Sequence, residues 1–141
     1  MQPKANSPQQ QASPDPAPPT TATNPHGLFL LRESNLPDNS KDHTGVDIVA
    51  IHGLNGNAYT TWKHDNGVLW LRDLLPDAFA GSRVFTYGYS SKVFQSDSAA
   101  DLRSFSRNLL NLLNAKSVGQ QRPIIFICHS LGGIVCKQVR T

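Results

Sequence analysis

Ile124-Ile125-Phe126-Ile127-Cys128-His129-Ser130-Leu131-Gly132-Gly133 is an apolar run closed by a histidine, a serine and a pair of glycines. The unbroken apolar run has the length and character of a strand covered on both faces. It breaks sharply at Ser130, and a helix is expected from Leu131 onward. A serine on such a strand-to-helix bend sits in strained backbone geometry with its hydroxyl lifted clear of the sheet. The positions two before and two after it must be small, or strand and helix collide. Gly132 meets that demand, and Gly133 offers further room. Cys128 stands where the G-x-S-x-G pattern has glycine, so the match is degenerate. Alone, the pentapeptide is a moderate signal, because a serine between strand and helix is more often an ordinary helix cap.

The elements upstream strengthen it. Residues 27–32 read as a first strand, followed by a polar loop to Gly45 with Asn35, Pro37, Asp38, Asn39 and Ser40 as turn formers. Residues 46–51 form a second, almost continuously apolar strand. Apolar positions 68, 71, 74 and 75, with Asp65 or Asn66 as cap and Pro76 as stop, predict a short helix. Residues 83–87 read as a third strand. Residues 98–118 carry Leu102, Phe105, Leu109, Leu112 and Leu113 at helical spacing and end before Gly119. Strands alternating with helices predict parallel βαβ units, hence an α/β fold: a mostly parallel sheet with flanking helices.

The second strand ends in a glycine-bearing loop, His52-Gly53-Leu54-Asn55-Gly56-Asn57. Acyl transfer places negative charge on the former carbonyl oxygen, and two backbone N–H groups must be waiting for it. The expected donors are Leu131, at the start of the elbow helix, and Leu54, in a loop where Gly53 and Gly56 let backbone approach substrate closely. His52 is expected to brace this loop. A plain glycine turn is the bland alternative; nucleotide binding ranks below it, since neither G-x-G-x-x-G nor G-x-x-x-x-G-K-[ST] occurs.

Composition bounds the rest. Seven of the ten prolines fall at or before Pro25, among Gln, Ala, Ser and Thr. That segment cannot bury enough apolar surface to offset its chain entropy, so residues 1–26 are expected to be a disordered Pro/Gln-rich tail and 27–141 the folded part. The start shows neither the apolar core of a secretory signal nor an Arg-rich amphipathic presequence. No run approaches the length of a transmembrane helix. The formal charge of +3 comes from scattered basic residues, which argues against nucleic acid as a partner. Cys128 and Cys136 read as free buried thiols rather than a disulfide framework. No metal or other cofactor is expected.

The span 27–138 resembles the lipase-like α/β-hydrolase domain of the serine active site containing protein family, which also opens many fungal multidomain proteins bearing NTPase and repeat modules. The matching words are Val46-Asp47-Ile48-Val49-Ala50-Ile51-His52-Gly53-Leu54, Trp70-Leu71-Arg72-Asp73-Leu74-Leu75-Pro76, Phe85-Thr86-Tyr87-Gly88-Tyr89 and Cys128-His129-Ser130-Leu131-Gly132-Gly133-Ile134-Val135. The resemblance implies a nucleophile at Ser130, an acyl ester or lipid substrate, and association with mitochondrial and endoplasmic-reticulum membranes; the alternative is a cytoplasmic protein. The second reading, behind a serine esterase or lipase, is a non-catalytic recognition or signalling module at the head of a fungal NTPase-repeat protein.

In such hydrolases the acid and the base follow the serine, but neither a histidine nor an acidic residue follows Ser130. The expectation is therefore an incomplete α/β-hydrolase fold, truncated after the elbow. Losing a triad serine or histidine costs about 10⁶-fold in kcat, so the chain alone is expected to be nearly inert. His129 is expected to point away from Ser130 and support the elbow by packing. His26, His43 and His64 fall in tail or loops. A strand at 123–128 without its later neighbour would expose unpaired N–H and C=O groups beside an apolar face, predicting marginal stability and association through that edge.

Overall fold

The computed structural model describes residues 24–35, 45–92 and 98–139. The tail before Asn24, the turn formers at 37–40, His43 and the last two residues lie outside them. Among the described residues, four strands, β1 (Gly27–Arg32), β2 (Asp47–Ile51), β3 (Arg83–Gly88) and β4 (Ile124–Cys128), form one sheet in the order β1-β3-β2-β4. β2 runs parallel to both β3 and β4, whereas β1 pairs antiparallel with β3, with a register irregularity between Leu30 and Arg32. The expected α/β class with a mostly parallel sheet is present, and the antiparallel β1 makes that sheet mixed.

The two-residue side-chain period of a strand sorts β2 and β3 between two apolar layers. Val49, Ile51, Phe85 and Tyr87 face α3 (Ser98–Ala115) and α4 (Leu131–Val139), meeting Leu109, Leu113, Leu131 and Val135. Ile48, Ala50 and Val84 face the opposite way, onto Trp62, Leu69 and Leu71. Every residue of β2 is buried, as its apolar run requires.

One charge interrupts that run. Asp47 is fully buried at the start of β2 and receives both Arg83 Nε (2.8 Å) and Arg83 Nη2 (2.7 Å), while the Gly119 N–H donates to it at 2.8 Å. A carboxylate buried without such partners would be strongly destabilising. This cluster ties β2, β3 and the turn before β4 together at the end of the sheet opposite Ser130.

The helix predicted over 68–75 is instead two short ones, α1 (Trp70–Asp73) and α2 (Leu75–Ala78). Pro76 does not stop a helix; it stands in the first turn of α2, where its missing N–H has no intrahelical partner to lose. Neither Asp65 nor Asn66 caps α1. The Leu69 N–H is held instead by Asp73 Oδ2 at 2.9 Å, from the other end of the same turn. A 3-10 turn at Thr60–Trp62 precedes them. α3 ends at Ala115, three residues early, where Ser117 and Gly119 take left-handed conformations and Val118 N–H returns to Leu113 O.

Candidate active site

β2, β3 and β4 run parallel, so their carboxyl ends lie side by side, the place where open α/β sheets bind ligands. At the end of β4 the chain passes His129 and reaches Ser130, which has φ of +52° before α4 begins at Leu131. A non-glycine residue in this region is costly for an L-amino acid and marks strain held by its surroundings. Ser130 is exposed. It is neither in mid-strand nor in mid-helix but on the bend.

What holds the bend is a pair of close backbone approaches. An ideal Cβ on Gly132 would fall onto Ile51 O, with His52 O at 2.7 Å and the Ile51 carbonyl carbon at 2.9 Å, so only glycine lets α4 start against the end of β2. An ideal Cβ on Gly53 would lie 2.8 Å from both His129 O and Ser130 Cβ, and 2.9 Å from His129 Nδ1. The glycine loop after β2 is thus pressed against the serine itself. Gly133 differs: a Cβ there would meet only Cys128 Cβ, at 3.9 Å, so no close approach demands glycine. That spacing also explains how cysteine at 128 coexists with the bend.

The loop is braced from below. His52 is fully buried, its Nδ1 2.9 Å from Gly53 O, and its Nε2 accepts from the Tyr89 N–H at 3.3 Å. A nitrogen that accepts cannot carry the proton, so Nδ1 is the donor and both ring nitrogens are engaged. Burial pushes His52 below its usual value near 6.5; the bond to Gly53 opposes this, and nearby His26 and His129 reinforce it. The Tyr89 ring stacks on the imidazole at 4.4 Å, and its hydroxyl donates to His52 O at 2.8 Å. Burial, then neighbouring Tyr87 and Cys128, raise the Tyr89 phenol, which stays protonated and available as that donor.

Gly53 O also accepts from Gly56 N–H at 3.0 Å across a turn in which Asn55 has φ of +56°. Gly56 packs closely too, since a Cβ would lie 2.8 Å from Thr61 Oγ1. In a trans peptide the N–H points opposite to the preceding C=O, so the Leu54 N–H is turned away from the buried His52 side. Among the described residues, neither the Leu54 nor the Leu131 N–H makes a hydrogen bond.

The sequence-derived residues therefore gather: Ser130, His129 and Leu131 at the elbow, His52, Gly53, Leu54 and Gly56 in the facing loop, and Gly132 between helix and strand. His129 does not stand clear of the loop, because its ring nitrogen lies against Gly53 beside Ser130. Asn24 and Pro25, expected in the tail, are engaged: Asn24 Oδ1 accepts from Asn57 Nδ2 at 3.2 Å, and Pro25 O abuts Gly88. Cys128 is exposed rather than buried; partial desolvation and neighbouring Cys136 push its thiol up to about 12, which keeps it a poor nucleophile. Sequence reasoning missed Tyr89. Its only local signal is a tyrosine at the end of an aromatic-rich strand. Among the described residues no cluster of three His, Cys, Asp or Glu is placed to hold a metal, and no helix is long and apolar enough to cross a membrane.

Fold and site together define an α/β protein with a strained serine bend packed against a glycine loop. The chain is 28% identical over 115 residues to Protein SERAC1 of mouse (67% of this chain, 17% of the relative), and 25% identical over 115 residues to human Protein SERAC1 (67% and 17%). To bovine Protein SERAC1 it is 24% identical over 148 aligned positions (79% and 22%). The chain thus spans about a fifth of the length of the curated relatives it matches. No family model matches it, and no solved structure does.

Proposed function

We propose that this chain is the N-terminal, nucleophile-bearing portion of an α/β-hydrolase domain of the serine esterase or lipase class, acting on acyl esters. Ser130 is the nucleophile, forming a covalent acyl-serine, and the N–H groups of Leu54 and Leu131 receive the oxyanion. The observation that carries this reading is the left-handed Ser130 held against Gly53, at the carboxyl ends of three parallel strands. A strained, exposed serine at this place, with the Leu54 and Leu131 N–H groups making no hydrogen bond among the described residues, supports that assignment. His52, Gly53, Gly56, His129 and Gly132 shape the loop and elbow. The similarity to Protein SERAC1 agrees with the resemblance carried by the stretches around His52-Gly53-Leu54 and Cys128-His129-Ser130. A lipid-related acyl substrate, and residence at mitochondrial or endoplasmic-reticulum membranes, complete the proposal.

A second reading, a non-catalytic recognition or signalling module, is favoured by one observation: both ring nitrogens of His52 are engaged, so it is not the base for Ser130. Labelling with an alkyl fluorophosphonate, with imidazole supplied as exogenous base, separates the two. The hydrolase reading expects slow phosphonylation at Ser130 that imidazole accelerates, that Ser130→Ala abolishes and that Gly53→Ala slows. Absence of Ser130 adduct with imidazole present, in a chain shown to be folded, refutes it.

A further inference from the structure

The residues that lead into β1 are bound at the same end of the sheet as Ser130. β1 runs antiparallel to β3, with Gly27 opposite Gly88, so residues 24–26 are brought beside the carboxyl ends of the parallel strands. There they and β1 meet residues 57–59, which continue the glycine loop that carries Leu54. Asn57 Nδ2 donates to Asn24 Oδ1 at 3.2 Å. An ideal Cβ on Gly88 would fall onto Pro25 O and lie 3.1 Å from Ala58 Cβ, so both segments pass closely over the end of β3. The rings of Phe29 and Tyr59 meet at 5.7 Å between centroids.

Asn57 is the hub of this join. Its Oδ1 accepts from the Tyr59 N–H at 2.8 Å and the Thr60 N–H at 3.3 Å, and its own N–H donates to Thr61 Oγ1 at 2.9 Å. An amide oxygen occupied by two backbone donors leaves Nδ2 to do the donating, so Asn24 presents its oxygen. One residue earlier, the Gly56 N–H donates to Gly53 O at 3.0 Å, and His52 Nδ1 donates to the same oxygen at 2.9 Å. Those two donors fix the plane of the peptide between Gly53 and Leu54, and with it the direction of the Leu54 N–H. Glycine at 53 offers little resistance of its own to a flip of that plane, so the holding falls to the partners of its carbonyl. Gly56 is placed in turn by its neighbour Asn57.

We propose that Asn24 and Asn57 are positioning residues for the oxyanion site: Asn24 holds Asn57, Asn57 places Gly56, and Gly56 keeps the Leu54 N–H turned toward the acyl oxygen. The role rests on Leu54 being an oxyanion donor to an acyl group on Ser130. It gives a residue whose surroundings in the sequence predict only a tail a part in the site.

The test compares the full chain with Asn24→Ala, with Asn24→Asp, and with Asn24→Asp combined with Asn57→Asp. The readouts are the amide resonances of Leu54 and Gly56 by NMR and the rate of fluorophosphonate labelling of Ser130 with imidazole present. Asn24→Ala is expected to shift and broaden both resonances, to leave those of Val49 and Ile51 in place, and to slow labelling about tenfold. Asn24→Asp keeps the acceptor and is expected to restore resonances and rate. Adding Asn57→Asp sets one carboxylate against another and is expected to lose both again. A Leu54 resonance unmoved in Asn24→Ala overturns the proposal, as does labelling of that variant at the full chain's rate. Absence of adduct in the unsubstituted chain sinks the hydrolase reading, and the oxyanion role of Leu54 with it. A Leu54 resonance that still follows Asn24 in that case shows the positioning of the loop to be intact.

Discussion

Gly132 and Gly133 are neighbours on one helix, yet alanine at the two positions is expected to act with opposite signs. In a helix interior alanine is favoured over glycine by about 1 kcal/mol, and in the first turn of α4, where both positions lie, by no more than that. At 133 the new methyl meets only Cys128 Cβ at 3.9 Å, an ordinary contact, so the helix preference stands alone and Gly133→Ala is stabilising by about 0.5–1 kcal/mol. At 132 the methyl would strike Ile51 O and sit 2.7 Å from His52 O and 2.9 Å from the Ile51 carbonyl carbon. These are backbone atoms of a buried strand end, which cannot rotate aside as a side chain would. Relief requires α4 to move off β2, and overpacking of this kind costs about 1–3 kcal/mol, occasionally more. The upper part of that range applies, giving a net loss of about 2 kcal/mol after the helix preference and a difference of about 3 kcal/mol between the variants. Urea unfolding followed by tryptophan fluorescence reads this directly: with a slope of about 1.5 kcal/mol per molar, the midpoints should separate by about 2 M. Equal shifts of the same sign would refute the close approach of helix to strand, and with it the elbow geometry.

Arg83→Ala leaves fully buried Asp47 with only the Gly119 N–H and is expected to cost about 3–5 kcal/mol in the same unfolding assay. Tyr89→Phe removes the donor to buried His52 O, for a loss of about 1–3 kcal/mol by urea midpoint. Because the His52 imidazole titrates below its unfolded value near 6.5, the unfolded chain binds the extra proton first. Stability from this group is fully present above pH 6.5 and declines as pH falls toward the folded value, with a slope of at most about 1.4 kcal/mol per pH unit. His52→Gln should flatten that slope in unfolding curves taken from pH 7.5 to 5. Ser130→Gly releases left-handed strain and is expected to raise stability by about 1 kcal/mol while abolishing fluorophosphonate labelling; a loss of stability would count against strain at this position.

Local pattern carried most of the elements. β1 was legible to the residue, and β2, β3 and β4 to within one, because alternation and apolar runs are properties of adjacent residues. The elbow was legible for the same reason: a strand, a serine and two glycines are contiguous. Pro76 was not, since a proline that stops one helix can as readily open the next, and the choice depends on where Leu71 and Leu75 must pack.

By itself, then, the sequence determined the α/β class, the order of strands and helices along the chain, and the serine bend with its small neighbours. Tertiary structure decided the rest: that β1 joins the sheet antiparallel, that Asp47 is neutralised by Arg83 from 36 positions away, that Tyr89 locks His52, and that Gly53 lies against Ser130. The division is physical. Backbone preference and side-chain periodicity act over a few residues, whereas these contacts join residues 36 or more positions apart, through burial that arises only once β2 sits between β3 and β4.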